Sequence, residues 1–76
     1  MAKNTDFTYE VIEDFGTLSE NGDWSKRLRK VKWGENAETF DVRSWNESGD
    51  KVKISKGITF TGEELKVLAK LIKEAL

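Results

Sequence analysis

The sequence contains no cysteine, no histidine and no proline. Without cysteine there is no disulfide, and without cysteine or histidine the usual zinc ligands are missing, so two common staples of small domains are not at hand. The same absences remove the thiol and the imidazole from which most nucleophile and base pairs are built. Phosphate loops are lacking as well, since the six glycines are scattered and none stands in a G-x-x-x-x-G-K run. Neighbouring charges such as Asp41 with Arg43, or Glu13 with Asp14, read as ion-paired or solvated groups rather than as a general acid and base. The chain is therefore read as a non-enzyme, with no cofactor, no metal and no small-molecule substrate. Its apolar runs are a few residues long, against roughly 20 for a spanning helix, so no membrane segment and no signal peptide are expected.

What is present is charge in blocks. The 76 residues carry a formal net charge of only -1. From Met1 to Asp23 one lysine faces six carboxylates, a local balance of -5, and Trp24 to Trp33 (WSKRLRKVKW) follows with five cations and no acid. Gly34 to Asp50 sets one arginine against five carboxylates, and Lys51 to Thr61 adds three lysines. Such alternation polarises the surface of a nearly neutral protein, and local fields are what steer an anionic ligand. A chain this short makes one domain, 1–76, with a single small core that gains from burial against a partner.

Turn-rich clusters punctuate the chain at Ser19–Asp23, Gly34–Ala37 and Asn46–Asp50. Between them the spacing predicts four strands joined as an antiparallel meander. The first, Phe7 to Leu18, alternates Phe7, Tyr9, Val11 and Phe15 against Thr8, Glu10 and Asp14, with Ile12 out of step as the mark of a bulge. The second is Trp24 to Trp33. The third, Thr39 to Trp45, sets Phe40 and Val42 opposite Asp41, Arg43 and Trp45, and the fourth, Lys51 to Thr61, is rich in Val, Ile, Thr and Phe. Thr61 and Glu64 then form a capping box, and Leu65, Leu68, Ile72 and Leu76 recur at helical spacing, with Val67 and Leu71 widening the apolar face. Residues 1–6 are expected to be disordered.

Basic and aromatic residues interleave on three of the predicted strands: Lys30-Val31-Lys32-Trp33, Arg43-Ser44-Trp45, and Lys53 with Lys56. Single-stranded nucleic acid is held by a basic groove along its backbone and by aromatic faces on which bases stack. Side by side, these strands would gather Arg29, Trp33, Arg43, Trp45 and Lys56 on one face, with Phe40, Val42, Ile58 and Phe60 meeting the helix on the other. Trp45, in step with Asp41 and Arg43, is expected on a polar face where burial is least expected. Cationic residues stand on both faces of the second strand, Arg27 and Arg29 on one, Lys30 and Lys32 on the other.

The run FDVRSW (Phe40 to Trp45) and, after a polar turn, KGITFTGEELKVLAKLI (Lys56 to Ile72) resemble the single-stranded-DNA-binding domain of the transcriptional coactivator positive cofactor four. They are closer still to its short bacterial relatives of the YdbC type. The resemblance spans Thr39 to Leu76. It implies an α+β fold in which a curved four-stranded antiparallel sheet precedes one C-terminal helix, paired as a homodimer that binds single-stranded DNA with little sequence preference. It further implies that Arg43, Trp45 and Lys56 contact DNA, with Trp33 as a stacking residue. Lys26, Arg29, Lys30, Lys32 and Lys53 join the expected nucleic-acid surface, and Leu65, Leu68, Leu71, Ile72 and Leu76 the expected dimer interface. The implied role is transcription regulation, replication or repair in a cytoplasmic, nucleoid-associated protein. RNA binding, or a protein adaptor using the same basic face, is the alternative.

Overall fold

A computed structural model describes residues 8–76. Phe7 and the expected disorder of residues 1–6 lie outside the described residues. Strands β1 (Tyr9–Asn21), β2 (Trp24–Trp33), β3 (Glu38–Asn46) and β4 (Lys53–Phe60) form one antiparallel sheet in the order β1-β2-β3-β4, and helix α1 (Gly62–Ala75) follows. The expected fold is present.

β1 lays 13 residues against the 10 of β2. Three register shifts, at Val11/Glu13, Asp14/Gly16 and Thr17/Ser19, absorb the difference. Each passes over one apolar residue, Ile12, Phe15 and Leu18 in turn. The bulge expected at Ile12 is present, but a strict period of two fails beyond it. Phe15 does not stay with Tyr9 and Val11. It turns to the other side, where its ring lies 5.8 Å from that of Phe40, and Leu18 lines a groove with Leu28, Val42 and Leu65. Asp14 moves the opposite way, into register with Arg29. Bulges also bend and twist the strand that carries them, so β1 follows a coiled path along the sheet edge.

The helix begins at a complete capping box: Thr61 Oγ1 accepts from the Glu64 amide at 3.1 Å, and Glu64 Oε1 accepts from the Thr61 amide at 2.9 Å. Its first turn holds Glu63 and Glu64 and its last turn Lys73, the signs that complement the helix dipole. Leu65 and Leu68 turn toward the sheet and are half-buried, yet no helix residue is fully buried. Apolar grooves run along both sides of the helix. One of about 380 Å³ is walled by Leu18, Leu28, Val42 and Ile72, and one of about 450 Å³ by Ile58, Phe60, Val67 and Leu71. Val31 and Trp45, both wholly buried, belong instead to the sheet face turned away from the helix.

Candidate nucleic-acid interface

Strand register decides which side chains meet. Across β2 and β3, Arg27 stands opposite Arg43, Arg29 opposite Asp41 and Val31 opposite Thr39. Side chains at paired positions share a face. The face away from the helix, here the open face, therefore carries Arg27, Arg29, Val31 and Trp33 from β2 with Asp41, Arg43 and Trp45 from β3. Tyr9 joins from β1, paired with Trp33.

The aromatic residues form a cluster. Trp33 and Trp45 stack with ring centroids 6.1 Å apart and planes 12° from parallel. Tyr9 is tilted against both, at 5.5 Å from each. A guanidinium covers each indole, Arg29 at 4.5 Å from the centroid of Trp45 and Arg43 at 4.6 Å from that of Trp33. Such cation–π contacts contribute about 0.5 to 2 kcal/mol each, rising as water is excluded.

Arg43 reaches its place because β4 has no side chain at Gly57, its cross-strand partner. A Cβ there would lie 2.8 Å from Arg43 Nε and closer still to Arg43 Cβ, so only glycine leaves the arginine room. The same arginine grips the buried Asp41 with two contacts of 2.7 Å, Nε to Oδ1 and Nη2 to Oδ2. The reading of Asp41 and Arg43 as an ion pair agrees with this geometry.

The other arginines are also engaged. Asp14 Oδ2 accepts from Arg27 Nη1 and from Arg29 Nε, both at 2.9 Å. On its far side Arg29 reaches Glu47, at 3.2 and 3.4 Å. Asp14 is held at its bulge by the Gly16 amide, 2.9 Å from Oδ1, where Gly16 adopts a φ of 146° that few other residues tolerate. Partial burial pushes the Asp14 carboxyl upward, but hydrogen bonds from Arg29 and Arg27 outweigh it and hold the group below the usual carboxylate range. For Arg29 burial works downward, and its bonds to Glu47 and Asp14 raise it overall.

Two expectations about this face need correction. Trp45 points the expected way but is wholly buried. Its neighbours Tyr9 and Trp33 and the overlying Arg29 cover it, which a layer of paired charges and flat rings can do as well as aliphatic groups. Its Nε1 has no hydrogen-bond partner among the described residues. Lys56 does not join the cluster. A register shift in the β3–β4 pairing sets Gly57 opposite Arg43 and Ile54 opposite Trp45, leaving Ser55 and the exposed Lys56 at the irregularity between.

The lysines of β2 belong to the helix side. Lys30 lies 5.6 Å from the Phe40 centroid and 3.5 Å from Glu38, and Lys32 donates to the Gly34 carbonyl at 2.8 Å. Lys26 lines a polar depression of about 360 Å³ with Trp24, Ser19, Asn21, Ser44 and Ser55. Lys53, opposite Asn46, is exposed at the same end of the sheet. Lys26, Lys53 and Lys56 make no ion pair among the described residues. Asp14 and Glu47 were not foreseen as arginine partners; neither is near Arg29 in sequence, and only the bulge places Asp14 beside it.

An uncharacterized protein of Treponema pallidum (strain Nichols) is 43% identical to this chain over 70 residues, 91% of the chain and 80% of that protein. The two belong to one family. No family model matches the chain. Among the described residues no group of potential metal ligands is found, and no helix is long and apolar enough to cross a membrane.

Proposed function

We propose that the protein is a homodimeric binder of single-stranded DNA, with the open face as the stacking surface. One observation carries this reading: two nearly parallel indoles, Trp33 and Trp45, are each overlaid by an arginine drawn from a neighbouring strand. Flat cations over flat rings form a layer that accepts the π-face of any base, so binding of this kind is tolerant of sequence. Trp33, only half-buried, and the guanidinium of Arg43 are its outermost planes, while the buried Trp45 supports them from below. Lys26 on the helix side, Lys53 at the same end of the sheet and Lys56 at the β4 irregularity, exposed and without carboxylate partners among the described residues, add a longer-range field that draws a polyanion in. Dimerisation rests on the helix, whose residues Val67, Leu71 and Ile72 are 57%, 55% and 47% exposed beside two apolar grooves. The resemblance to positive cofactor four and its bacterial relatives supports both parts of the reading and points to roles in transcription, replication or repair.

The test is a titration of labelled oligo-dT, a duplex of equal length and oligo-U, followed by anisotropy. Preferential binding of oligo-dT is expected, weakened steeply by salt and about tenfold by Trp33→Leu, the loss of roughly one stacked base. Tighter binding of oligo-U than of oligo-dT would move the assignment to RNA, and binding of none of the three would overturn it.

A further inference from the structure

The charges of the open face cancel one another. Its three arginines, Arg27, Arg29 and Arg43, meet three carboxylates, Asp14, Glu47 and Asp41, all within 3.5 Å. As it stands the surface read as a nucleic-acid interface is electrically balanced. The three carboxylates differ in how firmly they are placed. Asp41 is wholly buried beneath Arg43, whereas the side chains of Asp14 and Glu47 are 32% and 42% exposed. Glu47 also sits just past the end of β3, in the connection to β4, and carries no other hydrogen bond among the described residues.

We propose that Asp14 and Glu47 are built-in competitors for the phosphate backbone: they occupy Arg27 and Arg29 in the free protein and are displaced when a nucleic-acid strand binds. The proposal rests on the function given above and assigns different roles to its arginines. Arg43, clamped at two points on a buried carboxylate, stays in place and offers its plane for stacking. Arg27 and Arg29 exchange an exposed carboxylate for a phosphate, since both acceptors present the same pair of oxygens to a guanidinium. That exchange has a thermodynamic signature. A phosphate neutralised by a free cation releases its condensed counterion, which steepens the salt dependence by about 0.7 per contact for a single strand. When the arginine was already paired, the displaced carboxylate takes up a cation from solution, and the net release is close to zero.

The experiment compares wild type, Glu47→Gln and Asp14→Asn/Glu47→Gln in oligo-dT binding across a series of salt concentrations. Glu20→Gln serves as the control, because it makes the same charge change at an exposed β1 position paired with Ser25. The double variant is expected to bind about fivefold to tenfold more tightly at low salt, since the three ion pairs made by the two carboxylates no longer have to be broken. Its slope of log K against log salt should be steeper by about 1.4, for two phosphates. Glu47→Gln alone, a change outside the strands that leaves β1 intact, should move about half as far, and Glu20→Gln should leave the slope unchanged. If the wild type binds but neither carboxylate variant differs from the control in slope, the competition is refuted and the function stands. If the wild type does not bind, both fall together.

Discussion

The two faces of this sheet solve opposite problems. The open face is built from the groups hardest to bury, three arginines, an aspartate and two indoles, yet it holds the most deeply buried side chains of the described chain. The helix face is built from the groups easiest to bury and leaves them half covered: Phe15, Leu18 and Ile58 are 46%, 61% and 56% exposed. Charged groups are buried only when each has a partner in place, and on the open face those partners for the arginines come from the same chain. Apolar groups need no particular partner, so a surface of this kind can be finished by any apolar body of suitable shape. Internal pairing therefore closes one face within the chain, and the other face keeps apolar surface uncovered.

That contrast can be broken most directly at Trp45. Trp45→Ala removes a wholly buried indole from under Arg29 and between Tyr9 and Trp33. It is expected to cost about 3 to 5 kcal/mol, most of the margin of a small domain, as a lower midpoint in urea or an unfolded far-ultraviolet spectrum. An unchanged midpoint would show that the open face is not a core. On the helix face, Leu71→Asp should barely shift the urea midpoint of the dilute protein. It should weaken self-association by about 30- to 150-fold in sedimentation, the loss of one buried leucine contact of about 2 to 3 kcal/mol. Gly57→Ala sharpens the comparison from the strand side. Crowding Arg43 is expected to cost about 1 to 3 kcal/mol and to lower oligo-dT affinity, measured by denaturation and anisotropy on the same preparation.

Smaller effects follow at the helix start and at Asp14. Thr61→Ala should cost about 1 kcal/mol, because the Glu64 amide loses its acceptor. The Asp14 carboxyl lies below its ordinary value of 3.8 in the folded protein. Its contribution to stability is therefore complete above that value and is lost as pH falls through the lower folded one. Urea midpoints of wild type and Asp14→Asn should accordingly differ near neutral pH and converge in acid.

The fold was legible in the sequence because its signals are local. β2 occupies the stretch from Trp24 to Trp33 as read, the other strands shift by one to three residues at their ends, and Thr61 with Glu64 marks the start of the helix. The alternation of Phe40 and Val42 against Asp41 and Arg43 also assigns the faces correctly. What was not legible depends on how strands are registered. The shifts at Phe15 and Leu18 change the period of β1 from two to three, and nothing local distinguishes a bulged residue from an alternating one. The irregularity at Ser55 and Lys56 separates Lys56 from the arginine face for the same reason. The burial of Trp45 was missed because composition assigns a strand of Asp, Arg and Trp to water, whereas paired charges and stacked rings enclosed it.

The three bulges of β1 also determine how this sheet treats its own edge. A bare edge strand is a row of unmet amides and carbonyls, a template along which another chain can lie. On β1 the row is broken after Val11, after Asp14 and after Thr17, so no straight strand finds more than a few consecutive partners there. The other edge, from Gly57 to Phe60, keeps an unbroken register with β3. Growth from both sides is what turns sheets into fibres, and the broken row on β1 withholds one of the two sides from a straight incoming strand.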